Sequence, residues 1–195
     1  MIKLRFGDDG NFKTGGGVNL SVPPAAAAPP SAQSATRFAG SINVESPGTF
    51  LDDWDDIDFM GAADDSPATC ALTYFESEIV TLSDFGFTIP PEATIDGVVV
   101  TIRRSQSGAG SACKDQTVQL YKSGVVGANK ASALNWPSFL AEAVYGGASD
   151  LWGMTLTPSE VNDAAFRVKF KVVDDNGDGV TVYVDYISVT VHYTA

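Results

Sequence analysis

Asp174, Asn176, Asp178 and Gly179 fall at the spacing D-x-N-x-D-G. That is the start of a calcium loop, in which closely spaced oxygens surround a hard cation. With Asp174 as the first position, Asp185 is the twelfth, where such loops carry a bidentate Glu; an Asp has the shorter reach. The flanking residues are β-like rather than helical, and an Asp/Asn/Gly cluster is also what a tight hairpin demands by itself. Two readings stand here: a hairpin turn, or a calcium site made by Asp174, Asn176, Asp178 and Asp185. No other cofactor is expected.

The remaining chemistry is sparse. His192 is the single histidine. It falls on the polar side of the last apolar run, where a surface residue is expected. Neither cysteine has a histidine near it in sequence, no G-x-S-x-G elbow occurs, and no glycine-rich phosphate loop follows a strand. Asp-rich loops leave a glycosidase-type carboxylate pair open, with nothing that points to one. The expectation is a chain that is not an enzyme.

Charge narrows the partners. The 195 residues carry a net charge of −12, and Ser41–Ile102 holds thirteen acids with no Lys or Arg. Direct nucleic-acid binding, which needs a clustered basic face, is not expected. No apolar run approaches a membrane span, and MIKLRFGDDG lacks the apolar core of a signal peptide. The stretch LDDWDDIDF (51–59) reads as a solvated loop whose Trp54, Ile57 and Phe59 dip into the core; the alternative is a cation-holding or repulsive surface. Cys70 and Cys113 have no metal-like spacing and are expected as a buried, reduced pair, with a disulfide as the alternative.

The elements that must position these groups are strands. Phe166, Val168, Phe170 and Val172 alternate with Arg167, Lys169 and Lys171, as in a half-buried antiparallel strand. Val98, Val100 and Ile102 repeat the pattern, and Val118 with Leu120 marks a shorter strand. In GVTVYVDYISVTVHY the apolar phase changes near Asp185, from Val180, Val182 and Val184 to Ile187, Val189, Val191 and Tyr193. A β-bulge or a bend between sheets produces such a change. SQSGAGSA (105–112) is a flexible loop, and DDNGDG (174–179) closes a hairpin. One short helix is predicted, with Thr157 as N-cap, Pro158 at the first turn and Glu160 completing a capping box. The fold class is therefore all-β: an antiparallel, jelly-roll-like β-sandwich with one short helix and an extended N-terminal arm.

The arm is assigned to residues 1–40 and the sandwich to 41–195. Gly15-Gly16-Gly17 and VPPAAAAPPSAQSA (22–35) hold too little bulky apolar surface to offset the entropy of ordering them alone. Ile2, Leu4, Phe6, Phe12, Val18, Leu20 and Phe38 are the arm's large apolar residues. They have a use only if a partner or a neighbouring protomer buries them, so they are the candidate partner-binding residues.

Three segments resemble a β-sandwich domain recurring in structural proteins of tailed bacteriophages: residues 85–102, 145–170 and 182–193. The matching residues are Ile89, Pro90, Ala93, Ile95 and Gly97; then Gly146, Gly147, Leu151, Trp152 and Gly153; then Asp185. The likeness covers about half the chain, and the arm lies outside it. It implies a virion structural protein, of the capsid decoration or cement type, bound to the major capsid protein or other virion subunits. Assembly in the host cytoplasm, a place on the capsid exterior and a homo-oligomer, trimeric rather than dimeric, are expected. The alternatives are a tail, neck or fibre adaptor, carrying a carbohydrate-binding role in one version, and a hydrolase of host polysaccharide. Trp136 and Trp152 are expected as core or loop-closing aromatics, with a sugar-stacking platform as the alternative.

Overall fold

The computed structural model describes residues 29–45, 50–107, 112–177 and 179–195, and the backbone of three two-residue strands before them. The chain divides into two compact units, Met1–Pro30 and Ser31–Ala195.

In the first unit, β1 (Arg5–Phe6), β2 (Phe12–Lys13) and β3 (Asn19–Leu20) form a three-stranded antiparallel sheet. Its register sets Phe6 opposite Phe12 and Phe12 opposite Leu20, with Arg5 opposite Lys13 and Lys13 opposite Asn19.

The second unit is the antiparallel β-sandwich expected from the period-two pattern. One sheet runs in the order β11 (Val125–Val126), β10 (Cys113–Lys122), β13 (Arg167–Asp174), β8 (Ile79–Ser83) and β5 (Ser41–Glu45). The other runs β12 (Ala141–Gly146), β9 (Thr94–Gln106), β14 (Thr181–Thr194), β7 (Ala68–Ala71) and β6 (Trp54–Asp55), and β4 (Ala32–Phe38) also pairs with β14. Alternation decides the faces: along β13, Val168, Phe170 and Val172 are buried, while Arg167, Lys169 and Lys171 reach outward. Trp54 and Phe170 meet across the sheets with ring centroids 6.0 Å apart, and Trp136 stacks on Phe170 at the same distance. Such aromatic pairs add to the burial that holds the layers together.

The register of β14 against β9 shifts between Val184 and Tyr186. The bulge reverses the inward phase, so Val182 and Val184 are buried before it and Ile187, Val189 and Val191 after it. The helix α1 (Pro158–Val161) carries the expected capping box, with Thr157 accepting from the Glu160 N–H. In the acidic stretch, Trp54 is buried but Phe59 is not. A 3-10 helix over Ile57–Met60 puts residues three apart on one face, so Met60 fills the core and Phe59 points out. Cys70 and Cys113 are buried free thiols. Desolvation raises both, Cys113 to about 12, which keeps them as unreactive thiols.

Residues 32–38, assigned to the arm by the sequence, belong to the sandwich. They pair with residues 188–194 of β14, from Phe38 opposite Ser188 to Ala32 opposite Thr194. Their side chains are mostly exposed, so the strand is held by its backbone ladder rather than by an apolar face. The division of the chain thus falls at Pro30/Ser31, about ten residues before the predicted boundary.

Candidate functional site

The candidate attachment residues fall in three groups. Ile2, Leu4 and Val18 lie outside the described residues. Phe6, Phe12 and Leu20 occupy successive strands at matched register positions. Phe38 belongs to the other unit, at the end of β4, with its ring edge-on to Tyr186 at 5.8 Å and 38% exposed.

Three of the candidate calcium ligands, Asp174, Asn176 and Asp185, are among the described residues. Asn176 donates its backbone N–H to Asp174 Oδ1 at 3.1 Å, the local bond of an Asx turn. Asp178 lies outside the described residues. Asp185 sits at the bulge of β14, fully buried, where Arg103 Nη1 donates to its Oδ2 at 2.5 Å. Arg103 also reaches Asp65, so the guanidinium joins a buried and an exposed carboxylate. No group of three or more His, Cys, Asp or Glu able to hold a metal occurs among the described residues.

Among the described residues, one heavily bonded polar group was not singled out by the sequence. Asp115 is buried in β10 and takes Arg104 Nη1 and Trp136 Nε1 (2.9 Å) on Oδ1, and the Tyr145 hydroxyl (2.7 Å) and Ser132 N–H (2.9 Å) on Oδ2. Four donors saturate one carboxylate. The Arg104 guanidinium lies between two rings, 4.6 Å from the Trp136 centroid and 5.6 Å from that of Tyr145. Burial pushes the Tyr145 phenol up to about 12, so it remains a donor to Asp115 at neutral pH. One sequence signal points to the arginine of this group, though not to the group. Arg103 and Arg104 are adjacent in a strand, and a period of two forces one of them inward.

Trp152 and Trp136 are both buried, as core aromatics. The Trp152 indole donates to the Val98 carbonyl at 2.9 Å and closes the 146–154 loop onto β9. The glycines there are required by close approach. Gly146 has φ +78°, and a Cβ on it would lie 2.3 Å from the Val98 carbonyl oxygen; one on Gly97 would lie 2.4 Å from that of Gly147. His192 is half-buried on β14, opposite Ser34.

No protein-family model matches the chain, and no curated protein matches it. Solved structures with a similar fold include a Stig cyclase from Fischerella sp. TAU in complex with (3Z)-3-(1-methyl-2-pyrrolidinylidene)-3H-indole, at 11% identity and TM-score 0.41, covering 86% of this chain and 79% of that one. The xylan-binding module CBM15 is similar at 11% identity and TM-score 0.39, over 84% of this chain and 97% of that one. An infectious bursal disease virus structure follows at 12% identity and TM-score 0.33, over 97% of this chain and 41% of that one. At such identities the likeness concerns the all-β sandwich fold alone, which cyclases, carbohydrate-binding modules and a viral capsid protein share. It does not reach a tailed-phage origin. The expectation that the chain is not an enzyme is corrected here: two of the similar structures are cyclases, so the missing catalytic motifs do not exclude an enzyme on this fold. No helix among the described residues is long and apolar enough to cross a membrane.

Proposed function

We propose that the chain is a structural protein of a tailed-phage virion, a capsid decoration protein attached to the shell through its N-terminal unit. The observation that carries this reading is the division at Pro30/Ser31. A short segment separate from the sandwich repeats an apolar residue at three matched strand positions, Phe6, Phe12 and Leu20. A small sheet of two-residue strands has little apolar area of its own to bury, and a partner surface supplies it. Met1–Pro30 holds Lys3, Arg5 and Lys13 against Asp8 and Asp9, whereas thirteen acids and no bases occupy Ser41–Ile102. The partner is the major capsid protein or another virion subunit, and the chain works as a homo-oligomer, a trimer ahead of a dimer. The phage-like segments at 85–102, 145–170 and 182–193 support the same class.

The test is a count of copies in purified virions. Decoration requires a number comparable to that of the major capsid subunit. A number that is a small fraction of it would assign the chain to the tail, neck or fibres instead.

A further inference from the structure

A recess of about 290 Å³ opens beside the edge strand β12, over the buried Arg104 and Tyr145. Its rim is made by Leu134, Asn135, Glu142 and Val144. We propose that it binds a single neutral saccharide ring, a role independent of virion attachment.

Three features select that chemistry. The first is a fixed donor. Arg104 is 5% exposed and commits Nη1 to Asp115, while its other guanidinium N–H groups have no protein partner among the described residues. Asp115, Trp136 and Tyr145 hold the guanidinium in one orientation before any ligand arrives. A donor positioned in advance costs little further ordering on binding.

The second is charge. Arg104 is already matched by Asp115, so an anion entering the recess would meet a neutral pair inside a chain of net charge −12. Asp115 has no lone pair to spare for a cation, because four donors occupy it. An uncharged ligand that both gives and accepts hydrogen bonds fits best.

The third is the mixed wall. Asn135 offers an amide donor and a carbonyl acceptor, and Glu142 is an exposed carboxylate that accepts from the Tyr186 hydroxyl and has oxygen lone pairs left for a ligand. Leu134 and Val144, 76% and 62% exposed, give an apolar side for the C–H face of a ring. The volume is at the small end of ligand sites, which begin near 300 Å³, and so suits one ring rather than a long chain.

The test is a titration of the full isotope-labelled chain with glucose, galactose, mannose, xylose and N-acetylglucosamine at millimolar concentrations, followed by amide NMR. The expected result is a saturable shift at residues 132–145 with at least one sugar. Asn135→Ala and Glu142→Gln, both at exposed positions, should each keep the dispersed spectrum of the folded chain and weaken that binding by about tenfold or more. The proposal is overturned if no sugar gives a saturable shift at these residues, or if both folded variants bind as the parent does.

Discussion

Ser31 and Ala195 exchange a pair of backbone hydrogen bonds, Ser31 N–H to Ala195 O at 2.7 Å and Ala195 N–H to Ser31 O at 3.1 Å. These bonds extend the pairing of β4 with β14 by one residue pair. From that point β4 continues the ladder along residues 188–194 of β14.

The first expected outcome separates the two boundaries. Removing Met1–Pro30 leaves the core of Ser31–Ala195 complete, and the thermal midpoint should change by no more than about 2 °C. Removing Met1–Gly40 also strips β4 from β14 and should lower the midpoint by roughly 5 °C or more. Calorimetry on both truncations checks this. Equal midpoints would mean that β4 adds nothing to the sandwich.

The second concerns Asp115. Asp115→Ala leaves Arg104 buried without its counter-charge and removes the acceptor of Trp136, Tyr145 and Ser132, at a cost of about 3–5 kcal/mol. The double variant Asp115→Leu with Arg104→Met removes both charges and should be more stable than Asp115→Ala alone. Urea midpoints of the three proteins decide it. The opposite order would show that the loss does not come from an unpaired buried charge.

Legibility in the sequence followed the physics of each element. The β14 bulge could be read because the apolar phase on either side of Asp185 is visible residue by residue. The helix cap could be read because Thr157, Pro158 and Glu160 are local. Strand β4 could not: AQSATRF has no apolar alternation, and its pairing partners lie 150 or more residues away. The Asp115 group was hidden for the same reason, since Arg104, Asp115, Ser132, Trp136 and Tyr145 converge only through the fold. The calcium spacing was legible but ambiguous, and the bulge that turns Asp185 toward Arg103 is a tertiary feature.

The third outcome tests the 146–154 loop. Gly146→Ala combines a φ of +78° with a methyl 2.3 Å from the Val98 carbonyl oxygen, which is itself the acceptor of the Trp152 indole. Gly124 has a similar φ of +80° and open space around it. Gly124→Ala should cost about 1 kcal/mol through backbone strain alone, and Gly146→Ala distinctly more. Gly146→Ala should also change the near-ultraviolet circular dichroism of tryptophan, whereas Gly124→Ala should not.

The fourth is a pH dependence. Glu45 is held below its ordinary value of 4.5 chiefly by its hydrogen bond from Lys169, and Glu76 likewise by that from Lys171. A carboxyl lowered in the folded state contributes stability that is fully present above its ordinary value and lost as pH falls through the folded value. Stability should thus decline below about pH 4.5. Lys169→Met and Lys171→Met should reduce the part of that decline carried by these carboxyls. Urea midpoints from pH 6 down to pH 3 measure it, and unchanged slopes in both variants would remove these two pairs from the account.

The central claim is attachment through the N-terminal unit, and co-sedimentation with virions stripped of the protein tests it most directly. The full chain and the truncation beginning at Ser31 are each added back, with the fold of the truncation checked by its thermal midpoint. The account predicts that the full chain sediments with the particles and the folded truncation stays in the supernatant. Equal recovery of both on the particles would contradict it.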